Sequence, residues 1–193
     1  MKVSSEWKKL TQAQRRVWNK WAKDHPVLLD NGVMRRVSGR KAMTMVLRNR
    51  AIAGEAAKPA VVPNYSPYAS DGALSLRDAG PFTENAGYVG FRVEQYIPPE
   101  DLWFVWATPP VGADEQRPHR LLRFVKCFGG EYDVDDLTVG LGADYQAVCG
   151  PWDGPGEDGA WPVDTFIWFR LHVYSDGQLS PGVMMRGRIQ VEL

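Results

Sequence analysis

The run Val183–Leu193 alternates without a break. Val183, Met185, Gly187, Ile189, Val191 and Leu193 fall on one side, and Met184, Arg186, Arg188, Gln190 and Glu192 on the other. A period of two suits a strand with one buried face and cannot seat a helix. The run before it, Thr165–Tyr174, is apolar on both faces: Ile167, Phe169, Leu171 and Val173 point one way, Phe166, Trp168, Arg170, His172 and Tyr174 the other. A strand of that kind is expected to be covered on both sides. Asp176-Gly177 stands between the two runs and predicts that they pair around it. Five further runs, Tyr88–Tyr96, Leu102–Ala107, Leu121–Phe128, Tyr132–Val139 and Tyr145–Cys149, are set off by Gly, Pro and Asp. Seven short strands punctuated in this way predict an antiparallel sandwich over residues 88–193.

The beginning of the chain follows another period. Thr11 with Gln14 fits a capping box, in which the hydroxyl accepts a backbone N–H of the first turn and the amide reaches back. Val17, Trp18, Trp21 and Ala22 then recur at helical spacing, and Pro26 ends the segment. Asp30-Asn31-Gly32 lies between Val27-Leu28-Leu29 and Val33-Met34-Arg35, the pattern of a small hairpin. Ser38 is placed to cap a second helix over about 40–53, with Ala42, Met45, Val46 and Ala53 among its apolar positions and Gly54 as its stop. Trp7, Trp18 and Trp21 are the expected core of this helical region, residues 1–54.

Residues 55–87 are rich in Ala, Pro, Ser, Gly and Tyr, centred on Pro59-Ala-Val-Val-Pro63-Asn-Tyr65-Ser-Pro67-Tyr68. Proline favours extended backbone without a hydrogen-bonded ladder. A connection of this length exceeds an ordinary loop. Val61, Val62, Tyr65 and Tyr68 are superfluous in a plain tether, so an extended arm that lies on another surface is expected, with these four as its anchors. The fold class expected is α+β: a small helical region, a long arm and an antiparallel immunoglobulin-like sandwich.

Charge separates along the same line. Residues 1–53 hold 13 Lys and Arg against 3 acidic residues; residues 54–193 hold 10 against 20, so a net charge of zero conceals +10 and −10. Such asymmetry points to a polyanion or an acidic surface, whether nucleic acid or the acidic half of a neighbouring copy. Arg15, Arg16, Lys20, Arg35, Arg36 and Arg40 are the candidate contacts. No run approaches the roughly 20 apolar residues of a membrane span. The first residues, Met1-Lys2-Val3-Ser4-Ser5-Glu6-Trp7, hold no apolar signal segment, so neither export nor membrane insertion is expected.

Chemistry is sparse. His25, His119 and His172 have no second ligand at metal spacing, and His172, alternating with Arg170 and Tyr174, reads as structural. Cys127 and Cys149 fall on expected adjacent strands and, without an export signal, are expected to be reduced. The acidic runs Glu131–Asp136 and Asp153–Asp158 match no EF-hand loop and read as solvated turns. No Cys-x-x-Cys, Gly-x-Ser-x-Gly, phosphate loop or dinucleotide fingerprint occurs. No catalytic residue, metal or cofactor is expected.

Phe169-Arg-Leu-His-Val-Tyr174-Ser-Asp-Gly177-Gln-Leu-Ser180-Pro181 resembles the end of a fibronectin type III domain, where an alternating strand leads through a Gly-containing turn to Ser-x-Pro or a similar triplet. The resemblance implies an immunoglobulin-like sandwich and no reaction. Trp7-x-x-Leu10-Thr11-x-x-Gln14-Arg15-x-x-Trp18-x-x-Trp21-Ala22, followed by Ser38-Gly39, resembles short uncharacterised bacterial and prophage proteins that join a helical head to a β-domain. Together these features predict a self-assembling structural subunit of a bacteriophage or phage-like particle (a capsid, connector or tail component). It is expected to contact its own copies and other subunits, and to be a virion protein assembled in the bacterial cytoplasm. Two alternatives are a nucleic-acid-binding protein using residues 1–53 and a carbohydrate-binding sandwich that uses tryptophans such as Trp152 and Trp161.

Overall fold

Why the first helix starts where it does is visible in one residue pair. In the computed structural model, Gln14 N donates to Thr11 Oγ1 at 3.3 Å and Thr11 N donates to Gln14 Oε1 at 2.9 Å, the reciprocal capping box. The structure describes residues 3–28, 33–64, 76–79, 82–83, 90–93, 102–129, 138–150, 164–180 and 182–190. The described chain is α+β and divides into two units, Met1–Gly72 with Val173–Pro181, and Ala73–His172 with Gly182–Leu193.

In the first unit, α1 (Val3–Lys9), α2 (Gln12–Asp24) and α3 (Gly39–Ile52) surround an apolar core of Leu10, Trp18, Trp21, Ala22, Ala42, Met43, Val46 and Leu47. Lys41 N donates to Ser38 Oγ at 3.3 Å, so α3 starts at the residue expected to cap it. Met43 and Leu47 occupy the core face, whereas Met45 is half-buried and Val17 is 50% exposed. Val17 is the neighbour of a buried tryptophan, about 100° around the helix from it, and so turns outward. A Cβ on Gly39 would lie 2.5 Å from Asn19 Oδ1 and 2.7 Å from the Trp18 carbonyl carbon, so the start of α3 meets the middle of α2 at backbone distance. The strands β1 (Val27–Leu28) and β2 (Met34–Arg35) pair antiparallel as the expected hairpin, whose turn residues lie outside the described residues.

The second unit is built of sheets. In chain order its strands are β3 (Leu76–Ala79), β4 (Phe82–Thr83), β5 (Gly90–Val93), β6 (Leu102–Ala107), β7 (Arg123–Gly129), β8 (Thr138–Gly140), the greater part of β9 (Phe166–Ser175) and β11 (Val183–Gln190). β10 (Gln178–Leu179) belongs to the first unit. One sheet has the order β4-β11-β9-β6-β7 and the other β3-β5-β8; β11–β9, β6–β7, β3–β5 and β5–β8 pair antiparallel, and β11–β4 parallel. Ile167, Phe169 and Leu171 are at most 1% exposed. On the opposite face of β9, Phe166, Trp168 and Arg170 are half-buried and His172 and Tyr174 are buried. Arg186, paired across from Trp168, places its guanidinium 4.8 Å from the Phe166 ring centroid and 5.5 Å from that of Trp168.

Two expectations need correction, and a third, the pairing of Thr165–Tyr174 with the last run around Asp176-Gly177, holds with a refinement. Tyr145–Cys149 is not a strand: it belongs to α4 (Gly142–Cys149), with Leu141 and Tyr145 buried four residues apart and Gly150 ending the helix at φ 86°. The residues expected to form a ladder-free arm carry β3 and β4, which pair with β5 and β11. At the other end of that segment, Lys58–Val61 is closed into a turn by Val61 N donating to Lys58 O at 3.1 Å, with Pro59 at its second position. Finally, the return from Asp176-Gly177 is split. β10 pairs with Ser175 and Tyr174, and β11 pairs with β9 from Leu171 to Phe166. Asp176 and Gly177 have φ 44° and 85°, the doubly positive turn that matches the twist of a two-residue hairpin.

Candidate interaction surface

The basic residues of the helical unit divide into those the fold uses and those it presents. Arg15 is used. Its Nε donates to Trp7 O at 3.1 Å and its Nη2 to Lys8 O at 2.8 Å, satisfying carbonyls at the end of α1. Arg16 and Lys20 are exposed on one face of α2 with Lys23 a further turn along, at helical spacing i, i+4 and i+7. Arg35, the last residue of β2, and Arg36 after it are exposed, and Arg40 is exposed in the first turn of α3. Among the described residues no ion pair engages Arg16, Lys20, Arg35, Arg36 or Arg40. The close approach at Gly39 brings the residue before Arg40 against Asn19, the residue before Lys20 on α2. Counted by unit, the first holds 14 basic and 6 acidic residues and the second 9 and 17, so +8 stands against −8.

The expected arm anchors part company. Val61 is 53% exposed, Val62 packs on the helical core, and Tyr65 and Tyr68 lie outside the described residues. The segment's hold on the helices is polar as well as apolar. Trp18 Nε1 donates to Pro59 O at 2.8 Å and Trp21 Nε1 to Pro63 O at 3.2 Å. Trp18 is fully buried, and the two indoles meet edge to face with centroids 5.7 Å apart. Neither ring is free to stack on a base.

A polar cluster that the sequence did not announce lies in the same unit. Arg50, 1% exposed, donates from Nη2 to Asp176 Oδ1 at 2.6 Å, and its Nε stands 3.8 Å from Glu55 Oε2. Asn64 N donates to Asp176 Oδ2 at 2.8 Å, Gln178 Nε2 to Asn64 O at 2.8 Å, and Asn49 Nδ2 to Gly177 O at 3.0 Å. Burial and the Glu55 carboxylate push the Tyr174 hydroxyl well above its ordinary value. The signal in the sequence was the position of Arg50 on the buried stripe of Ala42, Met43, Val46 and Leu47.

In the second unit, His172 is 2% exposed and meets Trp106 edge to face at 4.9 Å, in keeping with a structural histidine. Cys127 and Cys149 are free thiols. Burial pushes the Cys127 thiol up, and burial pushes Cys149 up to about 11. Among the described residues no three His, Cys, Asp or Glu cluster as metal ligands, and no helix is long and apolar enough to cross a membrane. The acidic runs Glu131–Asp136 and Asp153–Asp158, with Trp152 and Trp161, lie outside the described residues. No family model matches the chain, and no curated protein or solved structure is significantly similar to it.

Proposed function

We propose that this chain is a non-enzymatic structural subunit of a phage or phage-like particle, working through contacts with its own copies and with other subunits. The observation that carries the reading is the division of charge. Unit by unit the chain is +8 and −8, and Arg16, Lys20, Arg35, Arg36 and Arg40 are left exposed and outside any ion pair among the described residues. Opposite fields on one chain favour head-to-tail association, which closes into a ring or runs on as a filament.

An immunoglobulin-like sandwich of the fibronectin type III kind belongs to the same proposal. With β3, β5, β6, β8, β9 and β11 taken as strands A, B, C, E, F and G, the sheets are A-B-E and C-F-G, the partition of that fold. β4 beside β11 is then the end of strand A crossing from one sheet to the other.

The test is native mass and sedimentation across a salt series. Assemblies above the monomer that dissociate between about 50 and 500 mM salt support the reading. A chain that stays monomeric at low salt and high concentration overturns it. One observation favours a second reading, attachment to nucleic acid: the line of Arg16, Lys20 and Lys23 on an exposed helix face. A salt-dependent shift of duplex DNA by the monomer distinguishes the two.

A further inference from the structure

The segment Lys58–Asn64 belongs to no helix or strand, yet it is held at every turn by side chains of other elements. Its one backbone–backbone bond among the described residues is the internal Val61 N to Lys58 O. The rest of its hold comes from outside. Trp18 and Trp21 donate to the carbonyls of Pro59 and Pro63, Arg50 donates to the carbonyl of Lys58, and Asp176 accepts the amide of Asn64. Pro63 is buried and Val62 packs on the tryptophans' core. A buried indole N–H needs a partner, and here two of them find it on carbonyls four residues apart. The arrangement is that of a receptor and a peptide: the receptor contributes side chains, and the ligand contributes mainly backbone.

The link between the two is built to let go. Gly54 follows α3 at φ 75°, with nothing within 4 Å of where a Cβ would stand, and Ala56, Ala57 and Lys58 are exposed. Glu55 between them is tied, its N donating to Arg50 O at 2.8 Å and its carboxylate 3.8 Å from Arg50 Nε, so the pivot is Ala56–Lys58, which carries little packing to lose when it changes course.

We propose that the groove over Trp18 and Trp21 is a peptide-binding site for the sequence Lys58–Asn64, filled by the chain's own segment, and that the identical segment of a second copy can take the same seat. Every bond the groove makes is available to a copy's segment, because the ligand is the same sequence. Exchange of an identical element is a low-cost route to association, limited mainly by the local concentration advantage of the tethered segment. This inference stands apart from the particle reading: it concerns one groove and one peptide, and either can fail alone.

The experiment uses the full-length chain with the triple substitution Pro59→Gly, Val62→Ser and Pro63→Gly, which leaves the groove and weakens its own occupant by removing the apolar packing and the stiffness of the prolines while keeping the backbone carbonyls. A synthetic peptide covering residues 56–66 is titrated in, with tryptophan fluorescence and far-ultraviolet circular dichroism as readouts. Saturable binding with a blue shift of the emission is expected, while the wild-type chain, its groove occupied, responds at least tenfold more weakly. Adding Trp21→Phe to the triple variant is expected to weaken the peptide roughly fivefold by removing one donor. If the triple variant is unfolded on its own, the peptide must restore its helical signal. A variant that neither binds nor is restored overturns the proposal, and so does equal binding to the wild-type chain, which would put the peptide elsewhere.

Discussion

Asp176 carries two loads that a substitution can separate. Its backbone occupies the left-handed region at φ 44°, where Asn is tolerated nearly as well, while its carboxylate accepts from Arg50 and from Asn64 N. Asp176→Asn therefore keeps the turn and removes the nearer carboxylate from a guanidinium that is 1% exposed, leaving it Glu55 at 3.8 Å. Breaking a fully buried pair costs about 3–5 kcal/mol; the Asp176 side chain, 36% exposed, retains some water, so a loss of about 2–3 kcal/mol is expected in urea unfolding. Arg50→Met, which removes the charge along with its partner's role, is expected to cost less. The thiols offer a second measurement. With Cys149 raised from the ordinary 9.0 to about 11, its thiolate population at pH 8 falls roughly a hundredfold, and alkylation should slow accordingly until the chain is denatured. The sign of the linkage follows: the unfolded thiol ionises first, so stability is retained below pH 9 and declines between about 9 and 11. Legibility at this scale was uneven. Thr11, Ser38 and Trp18 declared their roles through local spacing. Arg50 and Asp176 are 126 residues apart, and no local pattern joins an arginine to a turn at that separation.

Among the elements, α3 shows how a tertiary contact reverses an intrinsic preference. Gly→Ala within a helix ordinarily stabilises by about 1 kcal/mol. At Gly39 the added Cβ would come within 2.6 Å of Asn19 N and 2.7 Å of the Trp18 carbonyl carbon, both backbone atoms that cannot step aside. Gly39→Ala is accordingly expected to destabilise by about 1–3 kcal/mol, measured as a lowered denaturation midpoint, because α3 must move off α2. The elements that sequence conveyed well are those with one uninterrupted period and a capping or turn residue at the boundary: α2, β6, β9 and β11. α4 was missed because Tyr145-Gln-Ala-Val-Cys149 carries an aromatic and a β-branched residue, and the helical pairing of Tyr145 with Leu141 begins one residue outside the helix itself. β3 and β4 were missed because strands of 4 and 2 residues beside Pro81 are too short to display alternation against a Pro- and Gly-rich background. Of the expected surface, Arg16, Lys20, Arg35, Arg36 and Arg40 are exposed, and Arg15 is half-buried on the carbonyls at the end of α1; an arginine bonded to a neighbouring helix end looks the same in sequence as one that is not.

At the scale of the whole molecule, the helical region and the chain's first 54 residues are different objects. The compact unit that holds the helices takes in Val173–Pro181 as well, and those residues supply Asp176 to Arg50, Gly177 O to Asn49, and Gln178 to Asn64. Val46 and Arg50 of α3 pack so closely on Gly177 that a Cβ there would stand 2.6 Å from Val46 Cγ1. A fragment ending at Gly72 keeps the tryptophans but exposes this face of α3 and leaves the Arg50 guanidinium without the Asp176 carboxylate. A core of the size seen among the described residues has little margin for such a loss, since domains of this size are marginal even when intact. Residues 1–72 alone should therefore show non-cooperative thermal unfolding, with helical content well below that of the same residues in the full chain. Supplying residues 170–184 as a separate peptide should restore a cooperative transition if the missing contacts are the cause. A fragment 1–72 that unfolds cooperatively without the peptide would mean that the helices and the Lys58–Asn64 segment suffice for the unit, and that the Asp176-Gly177 turn is bound by it without being needed to build it.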